Sequence, residues 1–132
     1  MPELVPFLMF QKDDAAEAMN FYVSLFPGSA VLSEQRYGPE GPGKEGTIVM
    51  AEFTLAGQKF RCSDSHVRHG FDFTPSMSVF VTLDSADDLE HTYEALLEDR
   101  QALMPLDDYG FGPFGWVNDR FGVSWQLNAP SV

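Results

Sequence analysis

Hydrophobic positions recur at two different periods along the chain, and each change of period marks an element. Val123, Trp125 and Leu127 alternate with Ser124 and Gln126, the period-two pattern of a strand packed on one face. Asp119-Arg120-Phe121-Gly122 before it reads as a four-residue turn. Near the start, Val5 to Phe10 is a short apolar run suited to a buried strand. Asp13 or Asp14 can then cap a helix whose stripe is Ala15, Ala18, Met19, Tyr22, Leu25 and Phe26, stopped by Pro27-Gly28. A strand from about Val31 to Tyr37 follows, then a Gly/Pro-rich connection over 38–46. Thr47 to Leu55 and Gln58 to Ser63 read as two strands joined at Ala56-Gly57.

The second half repeats the order. Met77 to Leu83 alternates, with Met77, Val79, Val81 and Leu83 on one face. Ser85-Ala86-Asp87-Asp88 resembles a capping box, Asp standing for the usual Glu, ahead of a helix carrying Leu89, Tyr93, Leu96 and Leu97. A Gly- and Asp-rich loop over 106–113 leads into a strand over 114–118, and the turn at 119–122 closes a hairpin. Strand, helix, then strands, twice over, predicts an internally duplicated α+β domain, with module one at about 1–66 and module two at about 74–132.

Strand parity then predicts a cavity. If the apolar faces pack on the helices, the opposite faces are open to a ligand. Those faces would carry Ser124 and Gln126 from the last strand, and Ser78, Phe80 and Thr82 from the strand opening the second half. With Phe60 and Cys62 inward, Arg61 and Ser63 follow from the strand ending the first half; Pro6, Leu8 and Phe10 are the matching set on the first strand. A two-residue turn at Ala56-Gly57 pairs Leu55 with Gln58 and sets Glu52 opposite Arg61. A carboxylate beside an arginine on a sheltered wall can orient an anionic substrate, or act as base and anchor, which makes Glu52 and Arg61 the catalytic candidates. The plainer alternative is a cross-strand ion pair worth ~0.2–1 kcal/mol. Leu8, Ser63, Ser78, Phe80, Ser124 and Gln126 are the ligand-binding candidates.

Four segments also carry a family resemblance: Pro6-Phe7-Leu8-Met9-Phe10, Ala18-Met19-Asn20-Phe21-Tyr22, Leu55-Ala56-Gly57-Gln58-Lys59-Phe60, and the run from Asp119 to Leu127. In this order and spacing they resemble the vicinal oxygen chelate superfamily of glyoxalase I, bleomycin-resistance proteins and extradiol dioxygenases. Within it they are most similar to the PhnB-like group, labelled 3-demethylubiquinone-9 3-methyltransferase-like. The resemblance implies paired βαβββ modules, each sheet curling around half a cavity, and usually a homodimer. Metal-dependent relatives place His, Glu or Gln at one position on each of four strands, and by motif those positions here are Pro6, Arg61, Ser78 and Gln126. Proline offers no side-chain ligand, a guanidinium opposes a divalent cation, and Gln126 alone could bind, through its amide oxygen. Neither a metal nor another cofactor is therefore expected. The sequence also has no strand followed by a Gly-rich turn and helix of the kind that cradles S-adenosylmethionine.

Charge and cysteine content narrow the partners. The formal charge is -12, from 20 acidic against 8 basic residues, a surface that phosphate backbones and anionic membranes repel. Nucleic acid and membrane are thus not expected partners; a small organic ligand is. The single cysteine, Cys62, fits a reducing compartment, and the start of the chain lacks signal-peptide character, so a cytoplasmic protein is expected. Asp64, His66, His69 and Asp72 form a polar cluster in which His66 and His69 could hold a metal from one helical turn, but Gly70 breaks a helix and a solvated loop is the expectation. The glycines over 38–43 resemble a phosphate loop only in composition. The aromatic and glycine-rich stretch over 107–114 has the makings of a lid, while Trp116 could border the cavity or the core. These features together suit a metal-independent small-molecule pocket, with a drug- or metabolite-sequestering protein as the alternative and methyl transfer behind both.

Overall fold

The computed structural model describes residues 1–130, and the chain divides into two compact units, Met1–Asp72 and a second from Phe73 onward. The first runs β1 (Phe7–Phe10), α1 (Ala15–Leu25), β2 (Ala30–Arg36), β3 (Ile48–Leu55) and β4 (Gln58–Asp64). The second runs β5 (Val79–Thr82), α2 (Ala86–Leu97), β6 (Met104–Asp108), β7 (Pro113–Asn118) and β8 (Ser124–Asn128). Each unit is a βαβββ module. Its sheet is mixed: β1-β4-β3-β2 with β1 parallel to β4, and β5-β8-β7-β6 with β5 parallel to β8. No helix among the described residues is long and apolar enough to cross a membrane.

The β3–β4 hairpin follows from its turn. Ala56 (φ 49°) and Gly57 (φ 89°) both take the left-handed conformation that a two-residue hairpin with the strands' own twist demands. Leu55 consequently pairs with Gln58, and Glu52 with Arg61. Phe53, Phe60 and Cys62 lie on the buried side, where α1 packs through Ala15, Ala18, Met19 and Tyr22.

Three expectations are corrected. The stretch read as a loop over 106–113 contains most of β6. Pro105 and the pair Asp107-Asp108 disguise it, yet β6 is an edge strand, where proline and charge are tolerated because one side makes no ladder. Neither Asp13 nor Asp14 caps α1 with its side chain: Asp14 makes no such bond, and Asp13 takes a left-handed conformation (φ 59°). Asp64, at the far end of β4, does the work, accepting from Ala15 N at 2.9 Å and from Ile48 N at 2.8 Å. Met77 lies outside β5 and is 72% exposed rather than packed.

The second unit is locally closer to expectation. Ser85 Oγ accepts from Asp88 N at 3.1 Å, capping α2. Trp125 and Leu127 are buried on the helix side, with Val117 beside them and Leu89 and Leu96 from α2. Gly115 is required there, because a Cβ would sit 2.7 Å from the Tyr93 ring. Asp119 is buried in the turn before β8 and accepts from Phe121 N, Val123 N and Trp125 Nε1 at 2.9–3.0 Å, tying the turn to the tryptophan.

Candidate functional site

Each sheet has one face under its own helix and one face that no element of its own unit covers. On the first sheet the uncovered face carries Glu52, Lys59, Arg61 and Ser63. Arg61 Nε donates to Glu52 Oε2 at 2.7 Å. Lys59 Nζ lies 3.1 Å from Glu3 Oε2 and 3.8 Å from Glu52 Oε1, and Arg61 Nη2 lies 3.7 Å from Glu3 Oε1. Two cations and two carboxylates thus form one cluster, and the guanidinium stays partly exposed. The hydrogen bond from Arg61 holds the Glu52 carboxyl below its ordinary range; burial opposes this and the Lys59 charge assists it.

The first strand presents a different face from the one expected. Leu8 pairs with Cys62 and Phe10 with Asp64, so Leu8 shares the helix-packed side with the buried Phe10 and Cys62. Phe7 and Met9, paired with Arg61 and Ser63, are the residues beside the charge cluster. Every position from Val5 to Phe10 is apolar or proline, so alternation carried no parity, and only the neighbour in the sheet decides it.

On the second sheet Phe80, Gln126 and Trp116 form one rung across β5, β8 and β7. Trp116 therefore lies on the uncovered face, and its Nε1 donates to Ser124 Oγ at 2.8 Å. Ser78 and Ser124 share a hydrogen bond of 2.7 Å, and Ser124 is buried. Both hydroxyls thus support the tryptophan, leaving Gln126 half-exposed and Phe80 at 57% exposure. Phe114 contacts Phe80, Tyr109 and Phe111 at centroid separations of 5.5–6.4 Å, making an aromatic cluster. The stretch read as a lid is tied at its base, since Asp108 Oδ1 accepts from Gly110 N at 2.8 Å and Gly112 N at 3.2 Å.

The polar stretch after β4 does not converge on one point. Asp64 is committed to α1 and β3, His66 Nδ1 lies 3.4 Å from Tyr37 Oη, and His69 Nε2 lies 3.0 Å from Ser65 Oγ. Among the described residues, no group of three or more His, Cys, Asp or Glu side chains could hold a metal ion. Cys62 is buried on the packed side of β4, and burial, with Asp64 and Glu34 nearby, pushes its thiol up to about 12.

The family described as 3-demethylubiquinone-9 3-methyltransferase matches residues 2–128, nearly all of the chain. The protein belongs to this family. A Bacillus cereus protein described as a PhnB protein of the same label is 49% identical, with a TM-score of 0.93, over 98% of this chain and 100% of its own. A Pseudomonas aeruginosa protein is 25% identical, with a TM-score of 0.84, over the whole of both chains. The fold extends further: a glyoxylase/bleomycin resistance/dioxygenase domain from Frankia sp. EAN1pec has a TM-score of 0.65 at 14% identity, over 98% of this chain and 91% of its own. The chain is thus a PhnB-like protein with the fold of the glyoxylase/bleomycin resistance/dioxygenase domain. No curated protein matches it.

Three contributors to these faces were missed in the sequence. Glu3 precedes the first strand and carries no pattern, and Lys59 was seen only as hairpin sequence. Trp116 was undecided beside Gly115. For Lys59 a usable signal existed, since it shares parity with Arg61.

Proposed function

We propose that this PhnB-like protein binds a modest polar organic ligand and that Arg61 is the anchor for the ligand's carboxylate or carbonyl group. The observation that carries this is the orientation of Arg61: Glu52 engages its Nε at 2.7 Å, which fixes the side chain while Nη1 makes no hydrogen bond among the described residues. A guanidinium held by one edge presents the rest of its fork in a fixed plane, the arrangement suited to planar oxygen anions. Glu52 is then a positioning group. Its carboxyl is held low by Arg61, so it is a weak proton acceptor, which replaces the base suggested by its sequence position.

Binding or sequestration, as in the bleomycin-resistance type, is favoured over acid–base or thiol catalysis for a specific reason. Neither the low Glu52 carboxyl nor the buried Cys62 thiol, pushed up to about 12, supplies a reactive group near neutral pH. The four positions matched to the superfamily's metal ligands also fit a divalent cation poorly. Arg61 is cationic, Pro6 has no donor, and the Ser78 hydroxyl is engaged with Ser124. Methyl transfer would need a place for S-adenosylmethionine. The two strand-to-helix turns, 11–14 and 83–85, contain no glycine, so neither forms the nucleotide cradle of Rossmann-like methyltransferases.

The test is a thermal-unfolding screen of small carboxylates and carbonyl compounds against the protein and Arg61→Ala, each hit then incubated and re-examined for conversion. A saturable rise in midpoint that Arg61→Ala abolishes, with the compound recovered unchanged, supports the proposal. Hits that survive Arg61→Ala would place the ligand elsewhere, and recovered product would replace binding with catalysis. The same assay on EDTA-stripped protein with Ni²⁺, Zn²⁺, Mn²⁺ and Fe²⁺ should give no shift; a large one would return the chain to metal-assisted chemistry.

A further inference from the structure

The cations of this acidic protein are distributed unevenly. Of its 8 lysines and arginines, Arg36, Lys59, Arg61, Arg100 and Arg120 each contact a carboxylate at 2.7–3.5 Å. Lys12, Lys44 and Arg68 have no ion-pair partner among the described residues. All three line two adjoining clefts of the first unit, which share Gln11 and Arg68 as walls, and Lys12 also feels the Asp14 charge. The larger, about 370 Å³, also takes in Lys12, His69 and Phe71; the smaller, about 240 Å³, takes in Lys44 and His66.

The clefts are built rather than incidental. Gln11, one residue past β1, clamps the chain after β4 from both ends of its amide: Oε1 accepts from His69 N at 2.8 Å and Nε2 donates to Phe71 O at 2.6 Å. The opposite wall is the loop holding Lys44. It packs on Tyr37, leaving no room for a side chain at Gly43, where a Cβ would sit 2.5 Å from the ring. Tyr37 Oη reaches His66 Nδ1 at 3.4 Å, tying this wall to the segment that carries Arg68. Phe71 is 65% exposed and stacks on His69 at 5.0 Å, so the larger cleft also offers an apolar ring face. Asp72 also lines the larger cleft and Asp13 the smaller, so each carboxylate offsets part of the positive charge, and Arg68, which belongs to both clefts, has a second cation beside it in each.

We infer that these clefts are an anion-binding site for a phosphate monoester, with Lys12, Lys44 and Arg68 on the phosphate and Phe71 under its organic group. Arg68 is shared by both clefts and is the central donor, suited to a tetrahedral oxyanion by its forked geometry. The site is separate from Arg61, whose guanidinium already has Glu52 beside it.

The experiment is an amide chemical-shift titration with inorganic phosphate and with phenyl phosphate, each against chloride at equal ionic strength. Shifts should centre on Gln11, Lys44 and 68–71, with phenyl phosphate binding more tightly than inorganic phosphate. Arg68→Gln should weaken both by about tenfold or more, the loss of one charge-assisted contact. Lys44→Gln provides a second, independent variant of an exposed side chain, and Phe71→Ala should bring the aryl ester down to the affinity of phosphate. Arg120→Gln, which removes an ion-paired cation of the second unit, should change nothing. Shifts matching those of chloride, affinity untouched by Arg68→Gln and Lys44→Gln, or equal weakening by Arg120→Gln would overturn the inference. Equal affinity for the two phosphates would overturn the assignment of an ester.

Discussion

The two modules have the same element order and the same parallel pairing of first and last strands, yet they start their helices by opposite means. In the second, Ser85 caps α2 from the adjacent residue, a bond written into four consecutive residues. In the first, the bond comes from Asp64, 49 residues from the Ala15 amide it accepts, and the same carboxylate holds Ile48. At the register position matching Asp64 the second module has Asn128, whose buried Oδ1 has no hydrogen-bond partner among the described residues. One helix is therefore started by its own sequence and the other by its sheet. The uncovered faces diverge in the same spirit, with a four-charge cluster on the first and aromatic rings with an amide on the second. A duplicated topology fixes where side chains point and leaves their chemistry free.

The comparison can be broken by mutation. The largest effect is expected at Trp125, which fills the second module's core and is hydrogen-bonded to Asp119 at 2.9 Å. Trp125→Ala should cost ~3–5 kcal/mol in denaturant unfolding; a stable variant would mean that the packed face of β8 is misassigned. Next comes Asp64→Ala, which strands two buried amides and should cost about 2–4 kcal/mol. Ser85→Ala should cost only about 1 kcal/mol. Equal costs for these two would erase the distinction between sheet-started and self-started helices.

The smallest effect is predicted at Asp14, and it has a sign in pH. Burial raises the Asp14 carboxyl above its ordinary value, and the Asp64 charge adds to this against the bond from its own backbone. A carboxyl whose folded pKa is raised destabilises the fold above that pKa and is neutral below the unfolded value. Asp14→Asn should therefore raise the unfolding midpoint slightly near neutral pH, and the gain should vanish as pH falls through the acidic range. A gain that grows in acid would contradict the assignment.

Much of this was legible wherever local chemistry decides the outcome. Ala56-Gly57 dictates a two-residue turn, so the Glu52–Arg61 pairing followed from residue counting alone, as did the parity of Phe80, Trp125 and Gln126. The misreadings fall where local chemistry is silent. The run from Val5 to Phe10 has no polar position to reveal a face, which put Leu8 on the wrong side. Pro105, Asp107 and Asp108 suit an edge strand as well as a loop, so β6 was hidden. The role of Asp64 and the gathering of Lys12, Lys44 and Arg68 along two clefts depend on distances in space, which spacing along the chain does not encode.

The central claim is that Arg61, oriented by Glu52, anchors an anionic or carbonyl group. The most direct test is to titrate ¹⁵N-labelled protein with paired small carboxylic acids and their carboxamides, in wild type, Arg61→Ala and Glu52→Gln, following amides on β3 and β4. The account predicts that acids bind more tightly than amides, with shifts centred on Glu52, Arg61 and Ser63. Arg61→Ala should weaken the acids by about tenfold and remove the preference. Glu52→Gln, which loosens the guanidinium, should weaken them less. Acids and amides binding alike, or an acid preference that survives Arg61→Ala, would contradict it.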